Sequence, residues 1–188
     1  MMKKILLFAS GSGTNVENIV RYFQEKKSAE VVAVFCNNPK AKVLERAQNL
    51  NIPTFLFSKE QLYSDVVLNK VATYQPDLIV LAGFLLQFPI AIIKEFSKII
   101  NIHPALLPKY GGKGMYGMNV HRAVLENKEW ETGITIHFVS ENYDEGEIAF
   151  QKTISIKECV SPAEVAEKIH QLEQENFPQI IEQILQKI

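Results

Sequence analysis

The chain has 188 residues, 47% of them hydrophobic, and sets 20 Lys and Arg against 21 Asp and Glu for a formal net charge of -1. That length buries one sizeable core rather than two, and so even a balance excludes the broad cationic surface by which proteins hold duplex nucleic acid or an anionic membrane. The expectation is a single domain over residues 1–188 that acts on small molecules, as a monomer or homodimer, and holds any anion with a few local groups.

The opening MMKKILLFASGSG carries two lysines and a short apolar run. The run ends too early for a secretion signal, and no longer apolar segment follows. Cys36 and Cys159 stand in apolar surroundings without metal-ligand spacing, the usage of a reducing compartment. The cytoplasm is the expected location.

Apolar, β-branched runs then alternate with helix-length stretches. KILLFA, AEVVAVFC, DLIVLA and KIINIH are nearly all apolar, the pattern of strands buried on both faces. NVENIVRYFQEKK, AKVLERAQNL, KEQLYSDVVLNKVATY and PIAIIKEF place apolar residues three and four apart, the helical period. Such βαβ wiring predicts an α/β fold built on an open, mostly parallel sheet with helices on both faces. After Tyr110 the rhythm changes to Gly-rich GGKGMYGM, a helix near NVHRAVLEN, and two alternating runs, TGITIHFV and EIAFQKTISI, around SENYDEGE. Those runs predict an antiparallel edge or hairpin in the C-terminal half. The tail from Pro162 to Ile188 reads as helix, with Ser161 at the N-cap and Pro162 at the first helical position.

Ligands of parallel α/β sheets collect beyond the carboxyl ends of the strands, which singles out four loops. Ser10–Asn15, SGSGTN, follows the first strand and leads into a helix whose free N–H groups favour a phosphate. The alternative is a Gly-rich turn with Thr14 or Asn15 as helix cap. A dinucleotide site is set aside, because Val16 stands where a third glycine belongs and FCNN ends the second strand without an acid. Leu81–Pro89, LAGFLLQFP, is apolar enough either to fold into the core or to line a pocket for a flat apolar group.

The third loop, NIHPALLPKYGG, ends an apolar strand on an amide and an imidazole. Asn101 and His103 share one face of an extended chain, with Ile102 on the other. A lone strand-end histidine is ordinarily structural, but an amide beside it offers a donor for a developing oxyanion next to a group that moves protons. In the fourth loop, NYDEGE, Asp144 is either a turn residue or the carboxylate that orients His103. His121, His137 and His170 read as structural, with His137 on the polar face of an alternating strand.

Taken in order and spacing, SGSGTN, LAGF, NIHPALLPKY, HRAV, TGITIHFV and YDEGEI resemble the folate-dependent formyltransferases over nearly the whole chain. NIHPALLPKY with a downstream D-x-G-x-I is specific to that superfamily, and SGSGTN points to its branch acting on glycinamide ribonucleotide. The resemblance implies catalytic roles for Asn101, His103 and Asp144. It implies that Gly13, Thr14 and Asn15 hold the ribonucleotide phosphate and that Glu173 binds the same substrate. It also implies a pocket for 10-formyltetrahydrofolate, the co-substrate, lined by Leu85, Leu86, Gln87 and Phe88 with Val139 and Ser140, and chemistry that needs no metal. Many relatives carry an arginine where this chain has Leu86, and GGKGMYGM is longer than their corresponding turn. Relatives that formylate methionyl-tRNA or hydrolyse the formyl folate are expected to need a further domain, for which this chain has no room. A sugar-phosphate-binding module without chemistry would not require Asn101, His103 and Asp144 together.

Overall fold

The computed structural model describes residues 2–188. They form two compact units: one runs to Ile100 and takes in Pro178–Ile188, and the other is Asn101–Phe177.

In the first unit β1 (Lys3–Ala9), β2 (Ala29–Cys36), β3 (Thr54–Leu56) and β4 (Leu78–Leu81) stand in the order β3-β2-β1-β4. β1 pairs in parallel with β2 and β4, and β2 in parallel with β3. β5 (Ile99–His103) follows β4 in the sheet. As the unbroken apolar runs require, Ile5, Leu6, Leu7 and Phe8 are fully buried. Phe8 anchors an aromatic cluster, with the Phe35 and Phe88 rings each 5.0 Å away and Phe84 at 5.4 Å. The Phe84 and Phe88 contacts are edge-on, the geometry ring quadrupoles favour.

The helices of this unit are α1 (Thr14–Lys26), α2 (Lys42–Asn49), α3 (Lys59–Leu62), α4 (Asp65–Tyr74) and α5 (Ile90–Glu95). The single helix expected over residues 59–74 is two. Ser58 closes a capping box with Gln61, and Ser64 accepts the Val66 N–H while donating to the Gln61 carbonyl. Two caps six residues apart start two helices. β3 was not expected at all; three residues between Pro53 and Phe57 are too few for a period to show.

The second unit opens on Asn101–His103 of β5. α6 (Met118–Glu126) follows GGKGMYGM. β6 (Glu131–Phe138) and β7 (Ile148–Ser155) come next in the sheet order and pair antiparallel, the edge the alternating runs predicted. β6 is buried from Thr132 to His137, whereas β7 is largely exposed. α7 (Pro162–Leu185) begins where predicted: Ser161 Oγ accepts the Glu164 N–H, and the Glu164 carboxylate accepts the N–H groups of Val160 and Ser161. The two units divide inside α7 at Pro178, a residue that cannot make the helical bond back to Gln174. No described helix is long and apolar enough to cross a membrane.

Candidate active site

The loop after β1 is held in place from Ser10. Its buried Oγ donates to Asn37 Oδ1 at 2.7 Å and accepts the Leu85 N–H at 3.0 Å. The N-cap of α1 is Gly13, in the left-handed region at φ 77, and it brings no side chain to the first-turn N–H groups. Neither Thr14 nor Asn15 occupies the cap. A Cβ on Gly13 would lie 2.5–2.7 Å from three carbons of Val43, one of them backbone. Only glycine fits so close an approach in that conformation. The result is a helix N-terminus whose leading N–H groups have no intrahelical acceptor.

Within the same unit Leu85 is 49% exposed, Leu86 is half-buried and Gln87 is exposed, whereas Phe88 turns its ring into the Phe8 cluster. The Tyr63 hydroxyl donates to the Gln87 carbonyl at 2.9 Å. Leu62, Tyr63, Gln87, Phe88, Pro89 and Ile90 are among the residues lining a groove of about 300 Å³. Apolar walls with a few polar atoms suit a flat ring system.

The titratable cluster lies in the second unit. His103, almost fully buried, places Nε2 2.7 Å from the Tyr110 carbonyl and Nδ1 3.5 Å from Asp144 Oδ2. A carbonyl only accepts, so in the neutral ring the hydrogen sits on Nε2 and the Nδ1 lone pair faces the carboxylate. A proton on Nδ1 would turn that opposition into an ion pair. Burial nevertheless holds the His103 pKa below its ordinary value; Asp144 and the Tyr110 carbonyl pull upward without reversing it.

Asp144 reaches the cluster from a turn at φ 56. A Cβ on nearby Gly146 would meet the Phe138 carbonyl oxygen at 1.7 Å, so the chain there passes too close for any other residue. Burial raises the Asp144 pKa, but the His137 contact, the His103 charge and the Gly112 N–H at 2.9 Å outweigh it, and the carboxyl stays below the usual range.

His137 is the member that sequence reasoning missed. Its Nδ1 donates to the Phe138 carbonyl at 2.9 Å, while Nε2 lies 3.2 Å from Asn101 Nδ2 and 3.5 Å from Asp144 Oδ1. Asn101, His137, Asp144 and His103 therefore form one connected chain of polar contacts. Alternation put His137 on the polar face of its strand, but that face is buried. Thr135 shares it, donating to the Ala105 carbonyl and accepting the Leu107 N–H.

Glu173, on α7, is 3.9 Å from His170 Nδ1 and raises the His170 pKa. It also acts electrostatically on His103 and on buried His121, whose Nδ1 has no hydrogen-bond partner among the described residues. Val139 and Ser140, both half-buried, follow β6, and Ser140 Oγ donates to the Asn142 carbonyl at 3.1 Å. The arrangement offers an amide donor beside a half-buried carboxylate that faces two imidazoles.

The formyl transferase family model matches residues 3–181, and the chain belongs to that family. It is similar to the phosphoribosylglycinamide formyltransferase of Bacillus subtilis (strain 168), with 35% identity over 191 residues covering 98% of this chain and 95% of that one. The protein of the same name from Escherichia coli (strain K12) is 31% identical over 184 residues, covering 94% of this chain and 84% of that one. Among solved structures, glycinamide ribonucleotide transformylase 1 from Geobacillus kaustophilus superposes with a TM-score of 0.88 at 34% identity, covering 98% of this chain and all of that one.

Proposed function

We propose that the protein is a phosphoribosylglycinamide formyltransferase, which moves the formyl group of 10-formyltetrahydrofolate to the amine of glycinamide ribonucleotide, a step of purine biosynthesis, with residues 1–188 as one catalytic domain. Membership of the formyl transferase family supports the class of reaction. The single observation that carries the chemistry is Asp144 set between His103 and His137, with Asn101 against His137.

The folate supplies the formyl group on an amine leaving group. Leu85, Leu86 and Gln87 with Val139 and Ser140 are assigned to its pocket, and the exposed apolar surface around Leu85 fits a ring system. Phe88 is assigned to the same pocket. The N–H groups of Gly13, Thr14 and Asn15 take the ribonucleotide phosphate, and Glu173 binds another part of the same substrate.

Asn101 has two amide hydrogens. One meets His137 Nε2, and the other is assigned to the negative charge that develops on the formyl oxygen as the amine attacks. His103 enters protonated at Nδ1, where Asp144 stabilises the charge. It passes that proton to the folate nitrogen as its bond to the formyl carbon breaks, and the neutral imidazole then takes the proton that the attacking amine loses in becoming the amide. Asp144 keeps the proton within the cluster. Holding two substrates together is worth about 7–11 kcal/mol and one oxyanion donor roughly 3 kcal/mol, so positioning contributes the larger share.

The test is to mix the purified protein with glycinamide ribonucleotide and 10-formyltetrahydrofolate and follow folate release by absorbance. Release that depends on the ribonucleotide is expected. Release without it would make the protein a hydrolase, and no release with the ribonucleotide bound would make it a binding module.

A further inference from the structure

In the SGSGTN loop, four successive carbonyls each hold a donor. Ser10 O accepts from Asn38 Nδ2 at 3.3 Å, Gly11 O from the Val43 N–H at 3.2 Å, Ser12 O from Arg46 Nε at 2.9 Å, and Gly13 O from the Glu17 N–H at 2.9 Å. A trans peptide is planar, with its N–H directed opposite to its C=O. Each anchored carbonyl therefore fixes the direction of the following N–H, and the N–H groups of Gly11, Ser12, Gly13 and Thr14 are all turned away from the elements that hold the loop. Successive N–H groups so oriented make an anion-binding concavity.

Three of those anchors come from groups that many turns possess, a backbone N–H or a short amide. Arg46 is different. It reaches from the second turn of α2 to the Ser12 carbonyl, and its other end pairs with Glu17, which also accepts from Arg21 Nε at 3.0 Å and Nη2 at 2.8 Å. Only a planar guanidinium bonds a carbonyl through Nε while forking onto a carboxylate through Nη. Glu17 lies in the first turn of α1, so the guanidinium links that turn, the loop before it and α2. The Glu17 pKa is held below the usual carboxylate value by its bonds to Arg21 and Arg46, which keeps the orienting charge present.

We infer that Arg46 is a positioning residue for phosphate recognition: by holding the Ser12–Gly13 peptide plane, with Glu17 orienting it, Arg46 aims the Gly13 N–H at the substrate's phosphate without touching the phosphate itself. This rests on the assignment of the loop to the ribonucleotide phosphate. Arg46 governs affinity for the phosphorylated substrate and leaves the chemical step alone.

The experiment measures kcat and KM for wild type, Arg46→Met, Arg46→Lys and Glu17→Gln, with ribose 5-phosphate as a competing probe of the loop. In Arg46→Met, the ribonucleotide KM and the ribose 5-phosphate inhibition constant are expected to rise together, by about 10–100-fold, as for a charge-assisted hydrogen bond lost. The kcat and the folate KM stay within about twofold of wild type. Arg46→Lys restores less than half of the lost affinity, because an ammonium cannot fork, and Glu17→Gln falls between. A merely structural role would lower melting temperature and kcat without separating the two substrates, and that result overturns the inference. So does wild-type affinity in Arg46→Met when Gly13→Val has lost ribose 5-phosphate binding. If Gly13→Val still binds ribose 5-phosphate as wild type does, the loop assignment itself fails, and the role of Arg46 with it.

Discussion

His137 Nε2 stands 3.5 Å from Asp144 Oδ1, so the carboxylate that faces His103 with one oxygen faces a second imidazole with the other. Because the His137 Nδ1 hydrogen is committed to the Phe138 carbonyl, His137 also fixes the Asn101 amide through the same Nε2. Removing it should disturb both. His137→Ala is expected to lower kcat by roughly 10–100-fold, the effect of a buried polar group left unpaired, with little change in ribonucleotide KM. Steady-state kinetics with each substrate varied separately decides this, and a change confined to KM would count against it.

His103→Ala is expected to keep ribonucleotide binding while the transfer rate drops by about 10²–10⁴-fold, the range for loss of a general acid. Single-turnover rates with saturating substrates measure it directly. Normal turnover would remove His103 from the mechanism.

Asp144→Asn isolates the electrostatic role of the carboxylate. Asp144 is the charge that raises the His103 pKa against burial, with Glu173 assisting and His137 opposing. Without it, burial holds the imidazole further below its ordinary value of 6.5. A reaction that needs the imidazolium is lost as pH rises through the His103 pKa, so the descending limb of the kcat profile should move to lower pH. A limb that stays in place while kcat drops would assign Asp144 to something other than the His103 proton.

Gly13→Val is expected to raise the ribonucleotide KM more than it changes kcat, because a side chain there strains the loop as well as colliding with Val43. Trimming the partner should not help: Val43→Ala leaves the Val43 Cα, which would lie 2.7 Å from the new Cβ. The double substitution, compared with Gly13→Val alone in ribonucleotide titrations, checks that point. Full rescue would mean that the contact is made by the Val43 methyls only.

Acid should destabilise the fold before the carboxylates titrate. Burial lowers the pKa of both His103 and His121 in the folded protein, while Glu173 raises that of His170. Near pH 6.5 the two buried rings therefore bind more protons unfolded than folded, and His170 offsets part of the difference. The stabilisation is present above that pH and is lost as pH falls through the folded values. Melting temperatures taken from pH 7.5 down to 5 should decline, and less steeply in His121→Gln. Identical slopes would place the acid sensitivity elsewhere.

Much of this was legible in the sequence for physical reasons that can be named. Parallel strands covered on both faces must be continuously apolar, so β1, β2, β4 and β5 announced themselves. Ser161 marked the start of α7 because a capping hydroxyl followed by proline, whose missing N–H costs nothing in the first turn, opens a helix. β3 was hidden by its brevity, and the break at Ser64 was hidden by apolar spacing that continues through it. The place of His137 in the cluster was not legible for a different reason. Alternation reports which face of a strand a residue occupies, and only tertiary packing decides whether that face meets solvent. Asn101 and Asp144 come from distant points in the chain, and nothing local in TGITIHFV encodes their arrival.

The backbone at Asp144 occupies a left-handed well that asparagine shares with aspartate more readily than other side chains do. Exchanging this carboxylate for a carboxamide therefore asks almost nothing of the turn, whereas a β-branched replacement would oppose it. On the proposed reading, function would be lost at this position with no backbone strain to betray the exchange. What stability is lost would come from the carboxylate's contacts with His103 and His137 rather than from the turn, and only an assay of the chemistry itself would separate the two effects.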